Sequence, residues 1–148
     1  MIADRGNEVG IAHVRHGIRN DFEWLGRRAV QTYPTVLIVE DEPILRFYEM
    51  EIAEGAGFLT LMASNAEEAL KELEGPITVQ ILLTDASMPG SMDGFELAST
   101  VRHRWPDIKI VIASDRVDGK DAEIESECVF VPKPFTPNQL TSALLSVV

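Results

Sequence analysis

Cysteine, long apolar runs and basic charge are what this chain has least of. Cys128 is the only cysteine among 148 residues, so no intramolecular disulfide can form, and the expected location is the reducing cytoplasm. No stretch approaches the roughly 18 consecutive apolar residues of a membrane-spanning helix. Asp4, Arg5 and Glu8 stand where a secretory leader would be apolar, so neither a leader nor a membrane association is expected. Lys and Arg number 13 against 24 Asp and Glu, for a net charge of -11. Such a surface repels a phosphate backbone, which excludes nucleic acid as a partner. Three histidines and one cysteine are a poor supply of zinc ligands. His13 and His16 have a ligand-like spacing, but no third ligand accompanies them and Gly17 follows, so they read as exposed side chains. Internal repeats and low-complexity segments are absent.

What is present is an ordinary globular composition, 45 % hydrophobic and 25 % charged, in a length that suits one domain with a short extension. The charge is unevenly placed. Residues 1–33 carry five Arg against Asp4, Glu8, Asp21 and Glu23, a net +1, so the remainder carries -12. That first stretch has no clean period and is interrupted by Gly6, Gly10, Gly17 and Gly26. It is expected to be a poorly ordered N-terminal extension, and Pro34 ends it.

From residue 34 to 148 short apolar runs alternate with helical patterns. The strands read as Val36–Val39, Phe58–Ala63, Val79–Thr84, Ile108–Ala113 and Cys128–Pro132, all short and apolar, the first fully so, as a strand buried on both faces should be. Pro43 opens a helix whose apolar positions are Ile44, Leu45, Tyr48 and Ile52, and Gly55 and Gly57 end it. Asn65 and Glu68 have the spacing of a helix cap ahead of Ala66, Ala69, Leu70 and Leu73. Phe95, Leu97, Ala98 and Val101 mark a third helix, closed by Trp105-Pro106. Pro137 opens the last, with Leu140, Ala143, Leu144 and Val147 inward. Residues 114–127 are polar and acidic, so the helix between the fourth and fifth strands is expected to be short or weak. Five such strands separated by helices predict an α/β fold with a doubly wound, five-stranded parallel sheet. Its functional crevice then lies at the carboxyl ends of the strands.

Three features fall there. The first strand ends in Glu40-Asp41-Glu42, the third in Asp85, the fifth in Lys133-Pro134. Carboxylates crowded together resist ionisation, and a bound cation removes the penalty. Oxygen donors without Cys or His suit Mg²⁺. A cation and a lysine beside a carboxylate are also what phosphoryl transfer needs, since the carboxylate can be the nucleophile while the positive groups neutralise the oxygens. Taken alone, Glu40-Asp41-Glu42 reads equally well as a solvated loop of capping acids before Pro43.

The segments Val36-Leu37-Ile38-Val39-Glu40-Asp41-Glu42, Leu83-Thr84-Asp85-Ala86-Ser87-Met88-Pro89 with Asp93-Gly94, and Phe130-Val131-Pro132-Lys133-Pro134-Phe135 resemble those of CheY-like response-regulator receiver domains. The resemblance covers residues 34–148 and rests on three motifs in order, each weak alone. It implies a flavodoxin-like sheet of strand order 2-1-3-4-5 and a set of roles. Asp85 would accept a phosphoryl group from a phosphohistidine. Asp41 and Asp85 would bind Mg²⁺ directly, with the backbone carbonyl of Ser87 and, through a water, Glu40. Lys133 would contact the phosphoryl oxygens, with a cis Lys133–Pro134 peptide. Phe130 would be the switch aromatic, although an aromatic at that place is more often simply core. The family's usual Thr or Ser at the end of the fourth strand falls on Ala113, with Ser114 one residue late and directed to the other face.

The resulting expectation is a stand-alone phosphoacceptor receiver of a two-component phosphorelay. It takes its phosphoryl group from a histidine kinase or phosphotransfer protein, then signals by binding an unidentified downstream protein or acts as a phosphate sink. It is expected not to be an enzyme beyond its own phosphorylation and dephosphorylation, and homodimerisation is open to it. Ala113 is the feature that favours the alternative, a receiver-like interaction module that does not switch. A phosphatase built on Asp85 would want an acid two residues on, and Ser87 stands there.

Overall fold

The computed structural model of the chain describes residues 33–115 and 127–148. The expectations for the N-terminal extension and for a short helix between the fourth and fifth strands fall on residues outside these ranges. Elements follow in the order β1 (Thr35–Val39), α1 (Pro43–Gly55), β2 (Leu59–Ala63), α2 (Ala66–Glu74), β3 (Ile81–Asp85), α3 (Gly94–Arg104), β4 (Lys109–Ser114), β5 (Val129–Pro132) and α4 (Pro137–Leu145). The five strands form one parallel sheet of order β2-β1-β3-β4-β5. Among the described residues no helix is long and apolar enough to cross a membrane.

Alternation along the strands divides the core into two layers. Leu37, Val39, Leu82, Ile110 and Ile112 pack with Ala66, Ala69 and Leu73 of α2 and with Leu97, Ala98 and Val101 of α3. Val36, Ile38, Ile81, Leu83, Val111, Ala113 and Val131 pack with Ala53 of α1 and with Leu140, Ala143 and Leu144 of α4. Helices therefore cover both faces. Each begins on a local signal. Pro43 and Pro137 occupy first-turn positions of α1 and α4. The Asn65 side chain accepts from the Glu68 N–H at 2.8 Å. Asp93 with Glu96, and Thr136 with Gln139, form reciprocal capping boxes.

In α1 the apolar stripe expected from the sequence needs correcting. Ile44 is 85 % exposed, and Phe47 and Tyr48 are also exposed. The fully buried residues of α1 are Glu49 and Ala53, four apart, and Leu45 and Ile52 pack beside them. The helix is rotated so that a carboxyl side chain lies on its inner face.

Candidate functional site

Strand parity brings the site together. Glu40 follows Val36 and Ile38 at even spacing, Asp85 follows Ile81 and Leu83, Ala113 follows Val111, and Lys133 follows Val131, all on the layer shared with α1 and α4. The parallel ladder continues past the strand ends and pins each residue. The Glu40 N–H donates to the Ala63 carbonyl at 3.1 Å, the Ala86 N–H to Ala113 at 2.9 Å, and the Lys133 N–H to Ser114 at 2.9 Å. Asp85 is in register with Ala113.

One ligand oxygen from each of Glu40, Asp41 and Asp85 lies within 4.8 Å of the others. Glu40 is 1 % exposed and Asp85 7 %, while Asp41 is exposed. Lys133 Nζ stands 3.2 Å from Asp85 Oδ2 and 4.0 Å from Glu40 Oε1. The Lys133–Pro134 peptide is cis. Glu40 Oε2 accepts from the Glu42 N–H at 3.1 Å, whereas Glu40 Oε1 is buried without a hydrogen-bond partner. Arg46 Nη1 donates to the Glu40 carbonyl at 2.8 Å, fixing the backbone of the acidic turn. Ser87 is exposed, and its N–H donates to Asp85 Oδ1 at 3.3 Å.

The electrostatics follow from this crowding. Burial pushes the Glu40 carboxyl up to about 7; the Glu42 N–H opposes the rise and the Asp85 charge adds to it. For Lys133, burial works against the ammonium, but the charge and hydrogen bond of Asp85, with Glu40 and Glu49, outweigh it and raise the group above its ordinary value. Glu49 was not among the residues singled out in the sequence. It is 1 % exposed, and burial, reinforced by Glu40, opposed by Lys133 and reinforced by Asp85, pushes its carboxyl from 4.5 up to about 8.

The Glu49 shift has a measurable consequence. The unfolded chain releases this proton near 4.5, whereas the folded chain keeps it until about 8. Across that window the folded state holds the extra proton, so stability must fall as pH rises. Urea unfolding in the presence of a chelator should show the wild type losing about 2–4 kcal/mol more than Glu49→Gln between about pH 5 and pH 8. Parallel pH profiles for the two proteins would contradict the burial of an ionisable Glu49.

The remaining residues singled out in the sequence are scattered around this centre. Phe130 is half-buried, packed in the layer of α2 and α3, with its ring 6.2 Å from that of Phe95. Ala113 is fully buried beside Asp85 and offers no hydroxyl. Ser114 is buried one position on, and by alternation its side chain shares the face of Ile110 and Ile112 instead of the face of Asp85. Cys128 is half-buried, and burial pushes its thiol up to about 11, in keeping with a small hydrophobe. His103 is exposed on α3, its Nδ1 2.9 Å from the Ser99 carbonyl. Met88, in the loop after β3, has its side chain buried in the core.

Residues 36–145 match the family model described as the response regulator receiver domain. The chain is 40 % identical over 110 residues to an uncharacterized 14.6 kDa protein of Leptolyngbya boryana, spanning 71 % of this chain and 82 % of that protein. It is 33 % identical over 116 residues to the sensor kinase CckA of Brucella abortus, which covers 74 % of this chain but only 12 % of the kinase. Against three of the curated relatives it matches, CckA, HssR and AruR, the chain spans half of their length or less. Among solved structures it is similar to the response regulator TrrA of Thermotoga maritima in complex with Mg(2+)-BeF. The TM-score is 0.69 and the identity 26 %, over 78 % of this chain and 99 % of that one.

Proposed function

The chain belongs to the response regulator receiver family, and from that premise we propose that Asp85 accepts a phosphoryl group from the phosphohistidine of a histidine kinase or phosphotransfer protein. The observation that carries this reading is the meeting of Asp85 with Glu40, Asp41 and Lys133 at one end of the sheet. An Asp85 carboxylate oxygen attacks the phosphorus, the P–N bond breaks, and the imidazole leaves with a proton from solvent. Lys133, already at Asp85, receives the charge of the phosphoryl oxygens. The Ser87 N–H, which donates to Asp85 Oδ1, leaves Oδ2 and its lysine at the reacting side.

The residues present fit Mg²⁺. The donors are all oxygen, three carboxylates converge, and Glu40 Oε1 is a buried acceptor with no partner. Asp41, Asp85 and the Ser87 carbonyl would hold the ion, with Glu40 holding one of its waters. When bound it neutralises the phosphoryl oxygens. The chain thus serves as a phosphoacceptor of a two-component phosphorelay, with output through a partner protein or by drawing phosphoryl groups from a shared kinase.

Incubation with acetyl phosphate and Mg²⁺ tests this. Intact-mass spectrometry should show one added phosphoryl group, and a chelator should suppress it. Absence of the adduct with acetyl phosphate and with phosphorylated kinases alike would overturn the reading. One observation favours a second reading, a receiver that is phosphorylated without switching. Ala113, in register with Asp85, has no hydroxyl to follow a phosphoryl group. Amide exchange unchanged by phosphorylation in residues 110–135 would select it.

A further inference from the structure

Asp41 stands on a short link. The chain leaves β1 at Val39 and α1 begins at Pro43, so the exposed Asp41 lies between two fixed elements without belonging to either. What holds that link decides where its carboxylate sits. Helices α2, α3 and α4 each open on a side chain that accepts a backbone N–H, from Asn65, Asp93 and Thr136 respectively. Among the described residues α1 is the helix without such a cap. Glu42 at its N-terminus makes no side-chain capping bond, and its first turn carries no acid. The acids of the link are therefore not spent on capping and stay open to a cation. The restraint comes from inside the helix instead. Arg46 Nη1 donates to the Glu40 carbonyl at 2.8 Å, and the Arg46 N–H donates to the Glu42 carbonyl at 2.9 Å. One residue thus holds the chain on either side of Asp41. The link has a further bond, from the Glu42 N–H to Glu40 Oε2 at 3.1 Å, but that one depends on a carboxylate expected to hold a metal water.

The charge of Arg46 works in the other direction. A guanidinium beside an acidic cluster repels an arriving divalent cation, so on Coulomb grounds alone it weakens Mg²⁺ binding. Two features oppose this. Arg46 is only half-buried, so solvent screens the repulsion. Its side-chain bond goes to a backbone carbonyl and uses no carboxylate oxygen. An ion that demands near-ideal octahedral coordination gains from ligands already in place when it arrives. We propose that Arg46 is a positioning residue for Mg²⁺: by bracketing Asp41 it presets the acidic turn, and this gain exceeds the repulsion from its charge. The effect on Mg²⁺ rests on the function proposed above; the bracket around Asp41 does not.

Titration calorimetry with Mg²⁺ compares the wild type with two variants. Arg46→Met removes both the donor fork and the charge, and Arg46→Lys keeps the charge without the fork. Positioning predicts weaker binding in both, about tenfold for methionine and at least about threefold for lysine, the low end of what groups that orient metal ligands contribute. An arginine that acts through its charge alone gives the opposite sign, tighter binding in Arg46→Met and no change in Arg46→Lys. A second readout needs no metal. With chelator present, amide exchange of the Glu42 N–H should speed about tenfold in Arg46→Met, while the strand amides of residues 36–39 and 81–84 keep their wild-type rates, because the loosening is local. A merely structural arginine would instead raise exchange across the strands in the same proportion. Arg46→Lys carries both measurements if the methionine variant does not fold. Equal or tighter Mg²⁺ binding in the variants, or Glu42 exchange that is unchanged or rises only with the strands, overturns the positioning role. A wild type that binds no Mg²⁺ would sink the metal reading above, and Glu42 exchange would then decide the bracket on its own.

Discussion

Asp85→Asn is expected to abolish labelling by acetyl phosphate, a loss of at least about a thousandfold, while leaving the fold intact. Asparagine has the shape of the carboxylate but a poor nucleophile at both terminal atoms. The backbone of residue 85 is held independently of the side chain, by its register with Ala113 and by the Ala86 N–H on the Ala113 carbonyl. Removing one of three crowded carboxylates also lessens the repulsion that helps to push Glu40 up. The variant should therefore unfold at a temperature equal to or above that of the wild type in the absence of divalent ions. Intact-mass spectrometry and a thermal melt check both halves. An adduct that persists in Asp85→Asn would move the acceptor to a neighbour such as Asp41 or Ser87. A variant that fails to fold would make Asp85 a structural residue first.

Gly94→Ala should damage both stability and labelling without touching a functional group. Gly94 is the first residue of α3, and its N–H donates to the Ala86 carbonyl at 3.0 Å. A methyl group there would press into the Asp85 carbonyl oxygen, 2.8 Å from the Asp85 carbonyl carbon and 2.9 Å from the Ala86 Cα. These are backbone atoms at the end of a central strand, so neither side yields cheaply. Overpacking of this kind costs about 3 kcal/mol, the upper end of the usual range. What relaxation does occur must displace Asp85 itself, and a misplacement on the order of 1 Å slows a positioned reaction about a hundredfold. The expected result is a lowered unfolding midpoint together with labelling slowed out of proportion to the fraction unfolded. A variant with wild-type stability and labelling would show that the close approach of α3 to the acceptor strand is dispensable.

Much of this architecture was legible in the residues because the signals there are local. A strand buried on both faces must be apolar throughout, and Val36–Val39 and Ile110–Ala113 are. Helix starts were legible at Pro43, Asn65 and Pro137 because caps are written within four residues. The site was legible because the acidic and basic residues sit where apolar runs stop, at Glu40, Asp85 and Lys133, and a parallel sheet brings such ends together. The strand parity of Ser114, read as facing away from Asp85, agrees with the layer that Ile110 and Ile112 occupy. Glu49 was not legible. The apolar residues Ile44 and Tyr48 draw the expected stripe to one side of α1, but the rotation of that helix is set by packing against β1, β2 and α4, which no window of the sequence contains. Exposed apolar residues at Ile44 and Phe47 and a buried acid at Glu49 are the two halves of that one displacement. Met88 lies in the loop after β3, and that loop still sends its side chain into the core. For residues 1–32 and 116–126 the expectations stand outside what the structure describes.

The central claim is that a phosphoryl group is carried as an acyl phosphate on one particular carboxylate, and peptide mapping after borohydride reduction addresses it at the level of atoms. Reduction converts an aspartyl phosphate to the corresponding four-carbon alcohol and leaves free carboxylates and phosphate esters unchanged. Protein incubated with acetyl phosphate and Mg²⁺, reduced and digested should yield that alcohol at position 85, with Glu40, Asp41 and Asp93 intact. An unreduced phosphate ester on Ser87, or reduction at any carboxylate other than Asp85, would contradict the account.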